Sequence, residues 1–169
     1  PKGNVDRQRP TLAAMVAGIV QARSCQLPAM ARKTPDRAKA DSRIKRYSRW
    51  VQNERIEYDG FYLPFVSELL AHLAAIRELV FVIDGSEVGQ ECIPLMISLI
   101  YGKRALPITW LGVRGRKGHL SQAIHLDLLA QLQAILPENC RMVFLGDGEF
   151  DGIGLQAALQ AKNWRYVCR

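Results

Sequence analysis

The sequence has no apolar run approaching the roughly 18 residues that a membrane-spanning helix needs. It has no C-x-x-C pair either. Its four cysteines, Cys25, Cys92, Cys140 and Cys168, lie far apart. That scatter excludes a paired-cysteine zinc site and a disulfide framework. They are expected as buried thiols of a reducing compartment. The three histidines, His72, His119 and His125, lack metal-ligand spacing, and His72 is expected to be structural, within an apolar helix. No signal peptide opens the chain. It begins Pro1-Lys2-Gly3-Asn4 without an initiating Met, and the start is therefore expected to be trimmed or incomplete. Residues 61–169 also lack any charge excess, with ten basic and ten acidic side chains.

What remains is a globular composition, 49% hydrophobic and 23% charged over 169 residues. That length suits one domain, or one with a small appendage. The net charge of +7 sits entirely in residues 1–60, with 13 Lys or Arg against 6 Asp or Glu. A localised basic segment beside a neutral body points to a polyanion partner, most simply nucleic acid. A solvated helix face is the alternative.

The basic third reads as three short helices. Residues 1–9 are polar and expected to fray, and Leu12 to Val20 is helical despite Gly18. Leu27 to Ala31 forms a second helix. Thr34-Pro35-Asp36 is a start signal, a capping hydroxyl followed by Pro and an acid, for a third helix to about Gln52. Ala40, Ile44, Tyr47 and Val51 share one face of that helix. Arg37, Lys39, Arg43, Arg46 and Arg49 are then available to phosphates, in a layout like a small helix-turn-helix. Arg116 and Lys117, in a glycine-punctuated loop, extend the candidate DNA-binding set.

A mostly apolar helix, Phe61 to Ile76, leads into Leu79-Val80-Phe81-Val82-Ile83-Asp84-Gly85. The unbroken apolar run reads as a strand buried on both faces, with Asp84 delivered to its carboxyl end. Strands over Cys92 to Tyr101 and Leu106 to Val113 follow, then a helix from Ser121 to Leu136 and a strand from Arg141 to Leu145 ending at Gly146-Asp147-Gly148. A helix from Ile153 to Ala161 and a strand from Trp164 to Cys168 complete the order. The result is an α/β fold, β-β-β-α-β-α-β, the order of a ribonuclease H-like core. Residues 1–60 form the helical DNA-binding region and 61–169 the core. The fourth strand is expected parallel to and beside the first, which makes Asp84 and Asp147 neighbours.

Two adjacent carboxylates repel unless a cation lies between them or one is protonated. Mg²⁺ suits them, since it takes one or two carboxylates together with waters and phosphate oxygens. Asp84 and Asp147 are therefore candidate metal ligands and catalytic acids for phosphodiester chemistry. Gly85, Gly146 and Gly148 are expected to make room for a backbone or substrate. The structural alternative is that each Asp is a turn residue or cap. A phosphatase-like nucleophilic role for Asp84 meets Ser86 where a second acid is wanted.

Val82-Ile83-Asp84-Gly85-Ser86, the segment Tyr101-Gly102-Lys103-Arg104-Ala105-Leu106-Pro107-Ile108-Thr109-Trp110, and Phe144-Leu145-Gly146-Asp147-Gly148-Glu149-Phe150-Asp151-Gly152 resemble the DDE transposases of bacterial insertion sequences. The class is the one whose final acid lies in a Tyr-Arg-Glu-Lys signature. Ser42-Arg43-Ile44-Lys45-Arg46-Tyr47 is similar to that family's N-terminal part, and the likeness runs over about residues 10–169. It implies a ribonuclease H-like fold, two Mg²⁺ ions, double-stranded DNA partners (transposon ends and target DNA), and cutting and joining of those ends by a homodimer in the bacterial cytoplasm. Asp84 and Asp147 take the places of the first and second acids. Gly148 departs from the Arg usual there. The third acid belongs beyond the fifth strand, so the chain is expected to be a truncated form, inactive alone. A non-catalytic DNA-binding protein derived from a transposase is the alternative.

Overall fold

The computed structural model describes residues 2–89, 91–115, 118 and 120–168, residues 2–4 by backbone alone. The chain divides into two compact units, 1–65 and 66–169.

The first unit holds α1 (Lys2–Ala22), α2 (Leu27–Lys33), α3 (Ala40–Val51) and α4 (Tyr58–Phe61), and the division falls in the first turn of α5 (Leu63–Ile76). The helix over α1 begins ten residues before Leu12 and carries Pro10 inside it, so residues 5–9 are helical rather than frayed. Asp6 and Arg9, one turn apart, form an exposed ion pair at 3.1 Å. The core is Met15, Met30, Ala31 and Tyr47, with Ile19, Leu27, Ile44 and Trp50 packed against it. Trp50 meets Phe61 edge to face, centroids 5.9 Å apart.

The third helix starts at Ala40, not at Pro35. The side chains that signal an earlier start are engaged elsewhere. The Thr34 hydroxyl lies 2.9 Å from the Met30 carbonyl and 2.7 Å from the Tyr47 hydroxyl. Asp36 Oδ1 accepts from the Ala38 amide at 3.0 Å, a local turn that competes with helix. The inward face also differs: Val51 is exposed, and Arg43 takes a buried place beside Tyr47.

The second unit is a five-stranded sheet in the order β3-β2-β1-β4-β5. Its strands are β1 (Leu79–Gly85), β2 (Cys92–Tyr101), β3 (Arg104–Arg114), β4 (Met142–Gly146) and β5 (Arg165–Cys168). β1 pairs antiparallel with β2 and parallel with β4. The β2–β3 hairpin turns at Gly102, whose φ of +59° a residue with a Cβ adopts only with strain. The register shifts between Ile97 and Ser98, leaving Ile108 as an extra residue in β3. Ile108 and Thr109 are consequently both buried, although consecutive. Pro107, which has no amide to donate, is tolerated because β3 is an edge strand.

Helix α6 (Gln122–Ile135) packs against β2 and β3, and α7 (Ile153–Ala161) against β5. Thr109 Oγ1 donates to Gln131 Oε1 at 2.8 Å and fastens α6 to β3. Leu79, Phe81 and Ile83 are buried, with Leu95, Ile97 and Phe144 of the neighbouring strands. The expectation that β1 is buried on both faces is corrected by its alternation: Val80 and Val82 are half-buried and Asp84 is exposed. Apolar side chains occupy both faces, but only one is fully enclosed.

The cysteines differ from expectation too. Cys25 and Cys92 are exposed, and Cys140 and Cys168 are half-buried. His72 lies on the exposed side of α5. Among the described residues the buried histidine is His125 on α6, 4% exposed.

Candidate functional site

Strand alternation places Asp84. With Ile83 turned into the core, the next side chain must face the open side of the sheet. Asp84 lies inside the ladder, opposite Met96 of β2. Asp147 follows the last residue of β4. The parallel register pairs Val82 with Leu145, and two residues further along each strand stand Asp84 and Asp147. Both line one cleft of about 370 Å³, whose floor is Val82, Met96 and Ser98.

Asp147 is held by a single turn of 3₁₀ helix, Gly148–Phe150, of which it is the N-cap. The Glu149 amide donates to Asp147 Oδ1 at 3.0 Å, and the Phe150 amide donates to the Asp147 carbonyl at 2.9 Å. The turn folds back because Gly146 has no side chain. A Cβ there would stand 2.8 Å from Phe150 Cβ. Gly85 likewise serves the chain's own packing: a Cβ there would stand only 3.3 Å from Ile93 Cγ2.

Phe150 is fully buried and stacks on His125, ring centroids 4.9 Å apart and tilted by 56°. Burial pushes the His125 imidazole below its ordinary range, and the Glu149 carboxylate opposes that shift in part. His125 Nε2 and Glu149 Oε1 are buried without hydrogen-bond partners among the described residues.

The donor set fits Mg²⁺ so far as two hard carboxylate oxygens on one cleft do, with waters and substrate oxygens completing the shell. Among the described residues no three or more His, Cys, Asp or Glu gather as a closed ligand set.

A second concave surface lies in the helical unit, about 520 Å³, between Gln8 and Thr11 of α1 and Lys45, Arg46 and Arg49 of α3. No carboxylate lines it among the described residues. Arg46 is fixed from behind: its guanidinium donates to Asp36 Oδ2 at 2.7 Å. That bond is the main reason the Asp36 carboxyl lies below its ordinary range.

The cations named from sequence therefore separate. Arg46 and Arg49 share the groove. Arg37 and Lys39 are exposed on the loop before α3 and do not line it. Arg43 is not presented to phosphates as expected. It is buried, and its guanidinium donates to the Thr34 carbonyl at 2.7 Å and to Asp36 Oδ1 at 3.0 Å. Lys45 was missed, although its i, i+4 spacing to Arg49 puts both on one helix face. Arg116 and Lys117 lie outside the described residues. No helix among the described residues is long and apolar enough to cross a membrane.

No protein-family model matches the sequence, and no curated protein is similar to it. Among solved structures, the catalytic domain of Mos1 mariner transposase is similar over 68% of this chain, at 13% identity and a TM-score of 0.40. The chain spans 60% of the length of that structure. A likeness of that size carries no argument about family or activity.

Proposed function

We propose that this chain is a transposase-type protein with a ribonuclease H-like core, in which Asp84 and Asp147 hold Mg²⁺ for phosphodiester cleavage and joining. The observation that carries the reading is that Asp84 and Asp147 line one cleft, each two residues beyond the paired Val82 and Leu145 of adjacent parallel strands. Mg²⁺, when bound, supplies Lewis-acid stabilisation of a phosphodiester oxygen and lowers the pKa of an attacking water or 3′-hydroxyl. Both carboxylates are exposed and so accessible to a bulky polyanion. The helical unit holds duplex DNA through Lys45, Arg46 and Arg49, in a groove without opposing carboxylates.

Calorimetric titration of Mn²⁺ tests the reading. The wild-type chain is expected to bind, and Asp84→Asn and Asp147→Asn each to lose most of the affinity while keeping the far-UV spectrum. Equal Mn²⁺ binding by all three would overturn it.

A second reading, a DNA-binding protein without catalysis, is favoured by the basic groove standing in a unit of its own. In that case duplex binding survives both substitutions and is indifferent to divalent cations.

A further inference from the structure

We propose that His125 is the positioning residue for Asp147, acting through the ring of Phe150. The inference rests on reading Asp147 as a metal ligand. Asp147 is exposed at the end of a strand, and what orients it is the 3₁₀ turn that it begins. Its Oδ1 and its carbonyl are bonded to the amides of Glu149 and Phe150, respectively. Any movement of Phe150 therefore moves both groups that hold Asp147.

Phe150 is in turn gripped from two sides. Gly146 lets it approach the end of β4, where a Cβ would be only 2.8 Å away. From the other side comes the His125 ring, at 4.9 Å. The chain from helix to carboxylate is thus His125, Phe150, the turn, Asp147. His125 shares the buried side of α6 with Leu128, Leu129 and Leu132. A residue selected for core stability alone would be a fourth leucine there. The imidazole instead keeps a buried Nε2 without a partner among the described residues, a cost that an apolar side chain avoids. What the imidazole provides, and leucine does not, is a flat ring against Phe150.

The experiment compares His125→Ala, His125→Phe and Leu132→Ala, the last a core truncation on the same helix. Two quantities are read: amide exchange at Glu149 and Phe150, and Mn²⁺ affinity. In His125→Ala both amides are expected to exchange at least about tenfold faster than in Leu132→Ala, with Mn²⁺ affinity about tenfold weaker, the scale seen when an outer-shell partner is lost. His125→Phe, which keeps an aromatic ring on Phe150, is expected to restore both. Unchanged protection of these amides in His125→Ala, or protection lost equally in Leu132→Ala, overturns the proposal without reference to metal. If wild-type protein binds no Mn²⁺, the metal reading fails by itself, and amide exchange still decides whether His125 holds the turn.

Discussion

The Tyr47 hydroxyl lies 2.7 Å from Thr34 Oγ1, fully inside the helical unit. The pair joins α3 to the end of α2, and Thr34 also bonds the Met30 carbonyl. The two hydroxyls are not equivalent. Tyr47→Phe leaves Thr34 its carbonyl partner and is expected to cost about 1 kcal/mol. Thr34→Val strands the Tyr47 hydroxyl in the core, with an expected cost nearer about 2–3 kcal/mol. Urea unfolding of the two variants checks the order; equal costs would mean that Tyr47 finds another partner.

Gly18 is a point of close approach between α1 and α2. A Cβ there would lie 2.8 Å from Thr34 Oγ1 and 2.9 Å from the Met30 carbonyl oxygen. On helix propensity alone Gly18→Ala should stabilise α1 by about 1 kcal/mol. The carbonyl belongs to a backbone that cannot swing aside, so the net expectation is destabilisation by about 1–3 kcal/mol. A higher melting temperature for Gly18→Ala would show that α2 shifts at little cost.

His125 sets a pH dependence whose sign is fixed. Its folded pKa is depressed below the ordinary 6.5. As pH falls through about 6.5 the unfolded chain takes up a proton that the folded chain refuses. Stability is therefore full above that pH and is lost as pH falls toward the folded value, at no more than about 1.4 kcal/mol per pH unit. Denaturant unfolding between pH 7.5 and about 5 is expected to show this slope, and His125→Phe to flatten it. A slope that persists in His125→Phe belongs to another group.

The basic groove gives a test by salt. Lys45→Ala and Arg49→Ala are each expected to weaken duplex binding and lower the slope of log K against log salt by about 1. Arg43 is buried and internally paired. Arg43→Met is expected to leave the slope unchanged and to appear instead as lost stability of the helical unit. Fluorescence anisotropy at several salt concentrations separates the two classes. A slope lowered equally by Arg43→Met would make Arg43 a phosphate contact after all.

Much of the sheet was legible from sequence because its strands are written in long apolar runs with glycine between them. The place of Asp84 followed from Leu79 to Ile83 alone. The faces were less legible. Val80 and Val82 are as apolar as Phe81, so the run has no period, and only the sheet reveals that one side is half-buried. The start of α3 was misread for a tertiary reason. Thr34 and Asp36 have the chemistry of caps, but Tyr47, Arg43 and Arg46 claim them first. Arg43 looks like any solvated arginine until those partners are placed around it. His125 left no signal, because its importance is a ring contact between a helix and a turn 25 residues apart in sequence.

Asp84 is stitched into the ladder with β2, opposite Met96, two residues past the last pair that β1 makes with β4. Asp147 stands one residue past the pairing that ends β4, on a turn anchored by one aromatic side chain. The cleft is therefore a vice with one fixed jaw and one adjustable jaw. The ladder that holds Asp84 resists a change in the span between the carboxylates more than the single turn that holds Asp147.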